Sequence, residues 1–293
     1  MGSLFGNAIS GEYRSKFDHG ISFSKSTILK TGIVIYGFQV SLQDIWVVGW
    51  SGFFINVIII SATLLLAVYI GRHFLAMDLP TTLLIGAGSA ICGAAAILAT
   101  APVVRGKDRE VSVAVAMIVL FGTASMVLYP LAYPYMNMSD AAYGVYVGST
   151  VHEMAQVVGA GFAVSEEAAT IAVIQKMMRV VLLTPSILIL GFFIREGNSE
   201  GAAGKYPWFI LFFVIVIIIN SITSIPEDLK EAMKYLGVFM LAMAMSALGM
   251  HTKLSDFRAV GSKPLILAGS LFLFLAVGGY GVNRVIVYTA FHQ

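Results

Sequence analysis

The sequence predicts an all-α polytopic membrane protein with two broken or re-entrant helices. Hydrophobic residues make up 58% of the 293 residues and charged residues 12%, against about 25% charged residues in an ordinary soluble domain. Each charge-free stretch is long enough for a helix of about 20 residues to cross roughly 30 Å of hydrocarbon. These stretches are 45–71, 79–104, 111–139, 206–226, 235–252 and 264–283. A soluble fold would have to hide several such helices in one core.

The chain divides into about nine hydrophobic segments within a single transmembrane transporter domain, 1–293. Gly32 and Gly37 are soft points in the first segment, Pro130 and Pro134 end the fourth, and Pro185 lies inside the sixth. The third and fifth segments contain the breaks, and the longest loop, 196–205, is polar and Gly-rich, as flexible connectors are. The segments are 26–47, 49–71, 79–103, 109–135, 139–163, 166–195, 206–222, 228–250 and 262–288.

The two breaks resemble each other. GSAICGAAA at 88–96 and GSTVHEMAQ at 148–156 both open with Gly-Ser and carry Cys or His at the fifth position. Backbone groups opened inside lipid each cost several kcal/mol unless protein or water satisfies them. Each break is followed by an acidic helix start, at Glu110 and Glu167, and an Ala-rich helix. Paired interruptions of this kind indicate the substrate site of a transporter with inverted repeats.

The distribution of Lys and Arg between loops tests the topology. If every segment spans, one side carries 10 basic residues and the other 6. If both broken segments instead enter and leave on one side, the cluster Arg105, Lys107 and Arg109 changes sides and the count becomes 13 against 3. This favours re-entrant hairpins that enter from opposite faces, although broken spanning helices stay open. In either arrangement the N-terminal side is predicted to be cytoplasmic.

Ionisable residues inside a membrane are functional candidates by default. We predict substrate binding at segments 86–93 and 148–156, where Gly allows the helix to break and half-helix N-termini attract anions. A guanidinium fork suits carboxylate, sulfonate or sulfate oxygens. The predicted substrate-binding residues are Gly88, Ser89, Gly93, Ser149, Thr150, Gln156, Lys176 and Arg179, and the predicted coupling or gating residues are His152 and Glu153.

Each of these residues also has a purely structural interpretation. Glu153 could form an ion pair with Arg179 or Lys176 that locks two helices together, and Gly and Ser could simply allow close helix packing. HEMAQ resembles the zinc motif H-E-x-x-H, but Gln156 replaces the second His and amides are poor zinc ligands. We therefore expect neither an enzyme nor a bound metal.

GSAICGAAAI, GSTVHEMAQVVGAG, the K-x-x-R of Lys176 and Arg179 before LLTP, and MAMSALGMHT together carry a resemblance. The chain resembles, from about Gly20 onward, the YeiH-like sulfate exporter family of bacterial inner-membrane secondary transporters. Sulfate is an assigned rather than an established substrate of that family. The resemblance implies inverted repeats. Members of that family are expected to have one or two further helices at the N-terminus, which this chain, opening at GSLFGN, is expected to lack.

These observations together predict a secondary active transporter of a small anion (sulfate, a sulfonate or a carboxylate) in the bacterial inner membrane. No cofactor is expected, and H⁺ or Na⁺ is the candidate coupling ion. The expected partners are the lipid bilayer, the anionic solute and a second copy in a homodimer, with no nucleic acid. The alternatives are an anion channel and a membrane protein whose polar cluster is only structural.

Overall fold

The structure, a computed structural model, describes residues 19–21, 23–39, 42–196, 208–223, 225–251 and 261–291. All regular structure in these ranges is helical. Within the described residues, four helical stretches are long and apolar enough to cross a membrane: Trp50–Phe74, Asp108–Tyr135, Glu166–Phe192 and Lys263–Ile286. The helices are α1 (Leu29–Tyr36), α2 (Leu42–Tyr69), α3 (Leu79–Ala90), α4 (Ala94–Val104), α5 (Asp108–Ala132), α6 (Asp140–Thr150), α7 (Met154–Phe162), α8 (Glu166–Val181), α9 (Leu183–Glu196), α10 (Trp208–Ile222), α11 (Glu227–His251), α12 (Lys263–Leu273) and α13 (Gly279–Phe291). The predicted all-α class is confirmed.

The boundary between the first two helices differs from the predicted one. The α-helix α1 ends at Tyr36, a 3-10 turn follows at Gly37–Gln39, and α2 begins at Leu42, so the first α-helix ends near Gly37 and the second begins before residue 48. A Cβ atom on Gly37 would lie 3.1 Å from the Phe213 carbonyl oxygen of α10, so a larger residue would crowd this contact. The Phe38 carbonyl, freed by the break, accepts a hydrogen bond from Asn220 Nδ2 at 3.1 Å. A contact from a distant helix thus supports the break.

α3 and α4 form a re-entrant hairpin, which we call hairpin 1 (79–104). A surface cavity is lined by Met77 and Thr81 at the start of α3 and also by Lys107 and Val113 at the start of α5. The chain therefore returns to the face it left, which we call face 1. Each arm of 11 or 12 residues extends about 17 Å at 1.5 Å per residue, roughly half the hydrocarbon thickness.

α6 and α7 form the corresponding hairpin 2 (140–162). The Tyr143 hydroxyl near the start of α6 donates to the Ala160 carbonyl near the end of α7, at 3.4 Å, so the second arm folds back along the first. Since α5 runs from face 1 to Tyr135 and α6 begins at Asp140, hairpin 2 enters from the opposite face, face 2. The two hairpins therefore form an inverted pair.

The helix after each hairpin runs parallel to the first arm of that hairpin. In hairpin 2 the glycines make this possible, because Cβ atoms on Gly144 and Gly148 would lie 2.7 Å and 2.4 Å from the carbonyl oxygens of Ala168 and Ala172 on α8. In hairpin 1 a Cβ atom on Gly88 would overlap Ile118 of α5. Small residues at such positions allow helix backbones to approach closely in membranes.

The C-terminal helices are tied to hairpin 2 by hydrogen bonds. The Tyr146 hydroxyl donates to the Ala276 carbonyl in the π-helical segment Phe274–Gly278, at 2.9 Å. Both the Tyr280 hydroxyl and the Arg284 guanidinium donate to the Met136 carbonyl just before α6, at 2.8 and 2.9 Å. Hairpin 1, in contrast, meets α12 through an apolar core that includes Leu83, Leu84, Leu267 and Leu271.

Candidate functional site

The tips of the two hairpins meet inside the bundle. Ala94 N, the first helical residue of α4, donates to Glu153 Oε1 in hairpin 2 at 3.3 Å. Gly93, with φ +74°, turns the chain immediately before α4, and a Cβ atom there would lie 2.5 Å from Glu153 Cγ. Glycine adopts this left-handed conformation without the steric penalty of other residues, and here it also leaves the space that Glu153 fills. Segments 86–93 and 148–156 therefore lie together.

The break in hairpin 1 leaves three carbonyl groups without helical partners, and two buried cations satisfy them. Arg179 NH2 donates to the Ser89 carbonyl at 3.2 Å and also to the Ala90 carbonyl. Lys176 Nζ donates to the Ile91 carbonyl at 2.9 Å. Helix C-termini carry partial negative charge, so cations there are electrostatically favourable.

The same two cations also bind the tip of hairpin 2. The Val151 carbonyl accepts from Lys176 Nζ at 2.7 Å and from Arg179 NH1 at 3.4 Å. Ile91 and Val151 are 60 residues apart and occupy the same position in the two breaks, so the Lys176 ammonium joins equivalent carbonyls. Lys176 and Arg179 lie one helical turn apart on α8 and are 1% and 0% exposed. Their hydrogen-bond partners are main-chain carbonyls rather than the Glu153 carboxylate of the hypothesised ion pair.

The hydroxyl groups of hairpin 2 are occupied by protein partners. Ser149 Oγ donates to the Tyr146 carbonyl at 3.0 Å and accepts from Asn283 Nδ2 of α13, also at 3.0 Å. Thr150 Oγ1 donates to the Tyr146 carbonyl at 2.6 Å. These two predicted substrate-binding residues therefore hold the first arm of hairpin 2 in place.

Three buried groups at the crossing are without a hydrogen-bond partner among the described residues. They are Ser89 Oγ, both ring nitrogens of His152, and Arg179 Nε. Ser89 is 0% and His152 1% exposed. A buried polar group that is left unsatisfied costs about 1–3 kcal/mol, so these groups are the ones available to a solute or to water.

Gln156 and Glu153 set the start of α7. Gln156 Oε1 accepts from Glu153 N at 3.1 Å, and Gln156 Nε2 donates to the Val119 carbonyl of α5 at 3.5 Å. A Cβ atom on Gly122 would lie only 2.0 Å from Gln156 Oε1, so this glycine makes the approach possible. Glu153 is partly exposed, whereas Gln156 is buried.

Sequence reasoning missed two supporting contacts. Gln175 Nε2 donates to the Gly52 carbonyl of α2 at 3.0 Å, and Asn56 Nδ2 donates to the Gln175 carbonyl at 3.2 Å. Both amide side chains are fully buried. Their hydrogen bonds hold α8 against α2 at Gln175, the residue that precedes Lys176. Their signal was available, since Asn56 is an amide within a long apolar run and Gln175 precedes Lys176.

This chain is similar to a protein family and to individual membrane proteins along nearly its whole length. The family described as conserved hypothetical protein 698 matches residues 1–268. The UPF0324 inner membrane protein YeiH of Escherichia coli strain K12 is 44% identical over 98% of this chain and 84% of its own length. The protein of the same name from Salmonella typhimurium is 43% identical over the same shares. A UPF0324 membrane protein of Bordetella bronchiseptica is 40% identical over 97% of this chain and 90% of its own. No solved structure matches the chain.

Proposed function

The chain belongs to the family described as conserved hypothetical protein 698, and we propose that this membrane protein is a secondary active transporter of a small anion. The solute, which is sulfate, a sulfonate or a carboxylate, binds where the hairpin tips cross. H⁺ or Na⁺ drives the transport, and the protein is not an enzyme. The family resemblance and the charge at the crossing both support this proposal.

The observation that carries the proposal is the excess of positive charge at the crossing. The C-terminal ends of α3 and α6 contribute about −0.5 each, and the N-terminal ends of α4 and α7 about +0.5 each, so these partial charges cancel. We count Lys176 and Arg179 as two positive charges because their terminal nitrogens donate to buried carbonyl groups, and Glu153 provides one carboxylate among the described residues. The remaining charge of about +1 is buried, and buried charges are expensive unless they are paired. A solute anion supplies the missing negative charge.

The unpartnered groups support the same site. Ser89 Oγ and a protonated ring nitrogen of His152 can donate hydrogen bonds, and both belong to the tips that meet at the crossing. Oxyanions accept such bonds readily, and charge-assisted hydrogen bonds are roughly twice as strong as neutral ones. The terminal nitrogens of Lys176 and Arg179 already bind carbonyl groups, so these residues contribute mainly charge, and only Arg179 Nε is left to contact the solute among their described nitrogens.

The orientation follows from the basic residues. Arg72, Arg105, Lys107, Arg109 and Lys263 lie at helix ends on face 1, whereas Arg284 lies beside Met136 on face 2. Cytoplasmic loops carry an excess of Lys and Arg. We therefore place face 1, and with it the N-terminal side, in the cytoplasm of a bacterial cell.

Transport by purified protein tests the proposal. Proteoliposomes are loaded with unlabelled sulfate, methanesulfonate or acetate, and uptake of the labelled anion is followed with and without a pH or Na⁺ gradient. We expect saturable uptake and counterflow of at least one anion, together with an anion-dependent rise in the melting temperature of the protein. Empty liposomes and an unrelated membrane protein of similar size are the controls.

Two results would contradict the proposal. Folded, monodisperse protein that neither binds nor transports any of the three anions would support a purely structural cluster. Unitary currents in planar bilayers without counterflow would instead support an anion channel.

A further inference from the structure

Glu153 places a carboxylate where an anionic solute would bind. Its Oε1 accepts from Ala94 N at 3.3 Å, at the N-terminus of α4. N–H groups in the first turn of a helix have no partner within that helix and attract anions. The carboxylate comes from hairpin 2, whereas the N–H group belongs to hairpin 1. One hairpin thus supplies an acidic group to the anion-binding end of the other.

The surroundings of this contact would allow a solute anion to replace the Glu153 carboxylate. Gly93 leaves the space occupied by Glu153 Cγ, and Glu153 is partly exposed while the neighbouring cations are fully buried. Ser89 Oγ and the His152 ring, both buried and unpartnered among the described residues, belong to the same two tips. The site therefore holds unused hydrogen-bonding capacity beside a carboxylate that can leave.

We propose that the Glu153 carboxylate occupies the anion-binding end of α4 in the empty protein and that the acidic group of the solute displaces it. This inference rests on the proposed function and specifies how the site works. Glu153 is then a specificity-determining residue, because it competes with the solute for the same N–H group and repels it by like charge.

The charge balance sets the proton stoichiometry. The crossing carries about one excess positive charge with Glu153 ionised, so a monoanion neutralises it without a proton. A dianion such as sulfate leaves one excess negative charge, which is removed when the displaced Glu153 takes up a proton from solvent. Sulfate therefore binds together with one proton, whereas methanesulfonate binds alone.

The charged and titratable groups around Glu153 come from three elements. Lys176 and Arg179 lie on α8, Cys92 on the tip of hairpin 1, and His152 beside Glu153 itself. The two cations keep their carbonyl partners whichever acid is present, and neither Cys92 nor a neutral His152 balances positive charge. His152 is the competing proton acceptor, so the experiment has to separate it from Glu153.

Anion binding and proton uptake are measured together on the full chain in lipid nanodiscs, with methanesulfonate and sulfate as probes. Calorimetry gives the affinity, and a pH dye in weakly buffered solution gives the protons taken up per anion. We expect wild-type protein to take up about one proton with sulfate and none with methanesulfonate. The sulfate affinity of the wild type should also fall as pH rises, by up to tenfold per unit, and the methanesulfonate affinity should not.

Substitutions of Glu153 distinguish its competition for the N–H group of α4 from the effect of its negative charge on the solute. Glu153→Gln should bind sulfate with no proton uptake, no pH dependence and at least about tenfold higher affinity, because a nearby like charge is removed. Glu153→Asp is one methylene shorter, so it should release α4 and raise affinity while it retains proton uptake with sulfate. Glu167→Gln, which removes an exposed carboxylate on face 2, should behave like the wild type.

The outcomes distinguish this inference from the proposed function. Wild-type protein that binds neither probe overturns both. Anion binding with unchanged affinity in Glu153→Gln overturns only the displacement mechanism. Proton uptake that persists in that variant also overturns it, and assigns the proton to His152. If Glu153→Gln does not fold, the sulfate affinity of Glu153→Asp decides the question, and an affinity equal to that of the wild type overturns the displacement mechanism.

Discussion

The two hairpins share a backbone design but differ in the chemistry of their tips. Gly88 and Ser89 correspond to Gly148 and Ser149, and Ile91 corresponds to Val151. The hairpins differ at the next two positions, where Cys92 and Gly93 of hairpin 1 correspond to His152 and Glu153 of hairpin 2. At these two positions hairpin 1 thus provides a thiol and the space left by glycine, whereas hairpin 2 provides an imidazole and a carboxylate.

The helices that follow the hairpins repeat this asymmetry. α8 contributes Lys176 and Arg179 to the crossing, whereas the helix in the same place after hairpin 1, α5, approaches Gly88 with the apolar Ile118. The two repeats therefore share a backbone arrangement, and among the described residues the cations at the crossing come from the second repeat. A repeat with identical chemistry would place four cations together, at a large cost in desolvation.

The largest expected effect concerns the inverted arrangement itself. In a Cys92→Ala background, single cysteines replacing His73 and Lys107 should react with an impermeant maleimide from one face of the membrane. Cysteines replacing Tyr135 and Glu166 should react only from the other, because each hairpin returns to its starting face. Intact cells and inverted vesicles give the two directions. Opposite labelling of His73 and Lys107 would mean that hairpin 1 spans the membrane.

Lys176→Met should destabilise the protein strongly by removing the ammonium that joins the two tips. It bonds two buried carbonyls, and hydrogen bonds to charged groups are worth about 1.5–3 kcal/mol each, so the loss is roughly 3–6 kcal/mol. Unfolding in mixed detergent micelles measures this change. Lys263→Met, which alters an exposed lysine on face 1, should leave stability nearly unchanged. Equal stability of the two variants would show that the tips do not depend on Lys176.

Gly93→Ala tests the space that hairpin 1 leaves for hairpin 2. The added methyl group would overlap Glu153 Cγ, and φ is +74°, a strained conformation that costs about 1–3 kcal/mol for other residues. We expect a lower melting temperature and altered anion affinity. The control is Gly281→Ala, since nothing lies within 4 Å of a Cβ atom there. A Gly93→Ala protein as stable as this control would contradict the close contact of the tips.

The smallest expected effect is on stability, when the equivalent residues Ser89 and Ser149 are each replaced by alanine. Ser149→Ala should cost about 1 kcal/mol because Asn283 loses a buried partner,. Ser89→Ala should leave the melting temperature almost unchanged, since no described residue bonds its hydroxyl, and should weaken anion binding instead. Melting curves with and without sulfate measure both properties. A reversed pattern, with Ser89→Ala the more destabilising, would remove Ser89 from the solute site.

The two breaks could be located from the sequence because interrupted helices are costly in lipid and therefore rare. Gly-Ser pairs followed by polar residues stand out within apolar runs, and the distribution of Lys and Arg between loops favours re-entrant hairpins. The first helix boundary was predicted too late in the chain, although Gln39, Gln43 and Asp44 interrupt the apolar run at this point. The accompanying hydrogen bond comes from Asn220 on α10. Local patterns carry no record of such distant partners.

The partners of the buried cations were also beyond sequence reasoning. Lys176 and Arg179 were identified as intramembrane cations, but carbonyl groups exist at every residue and leave no trace in the pattern. The residue types available as partners, notably Glu153, therefore suggested an ion pair. Only the fold reveals which carbonyls the breaks set free.

The hydrogen bonds between hairpin 2 and the C-terminal helix have a mechanical consequence. Tyr146, Ser149 and the Met136 carbonyl each bond to a residue between Ala276 and Arg284, whereas hairpin 1 shares an apolar core with α12. If the proposed transport involves movement of one half of the protein against the other, these hydrogen bonds would move α13 together with hairpin 2, and the apolar contact between hairpin 1 and α12 would be the interface with fewer directional bonds to break.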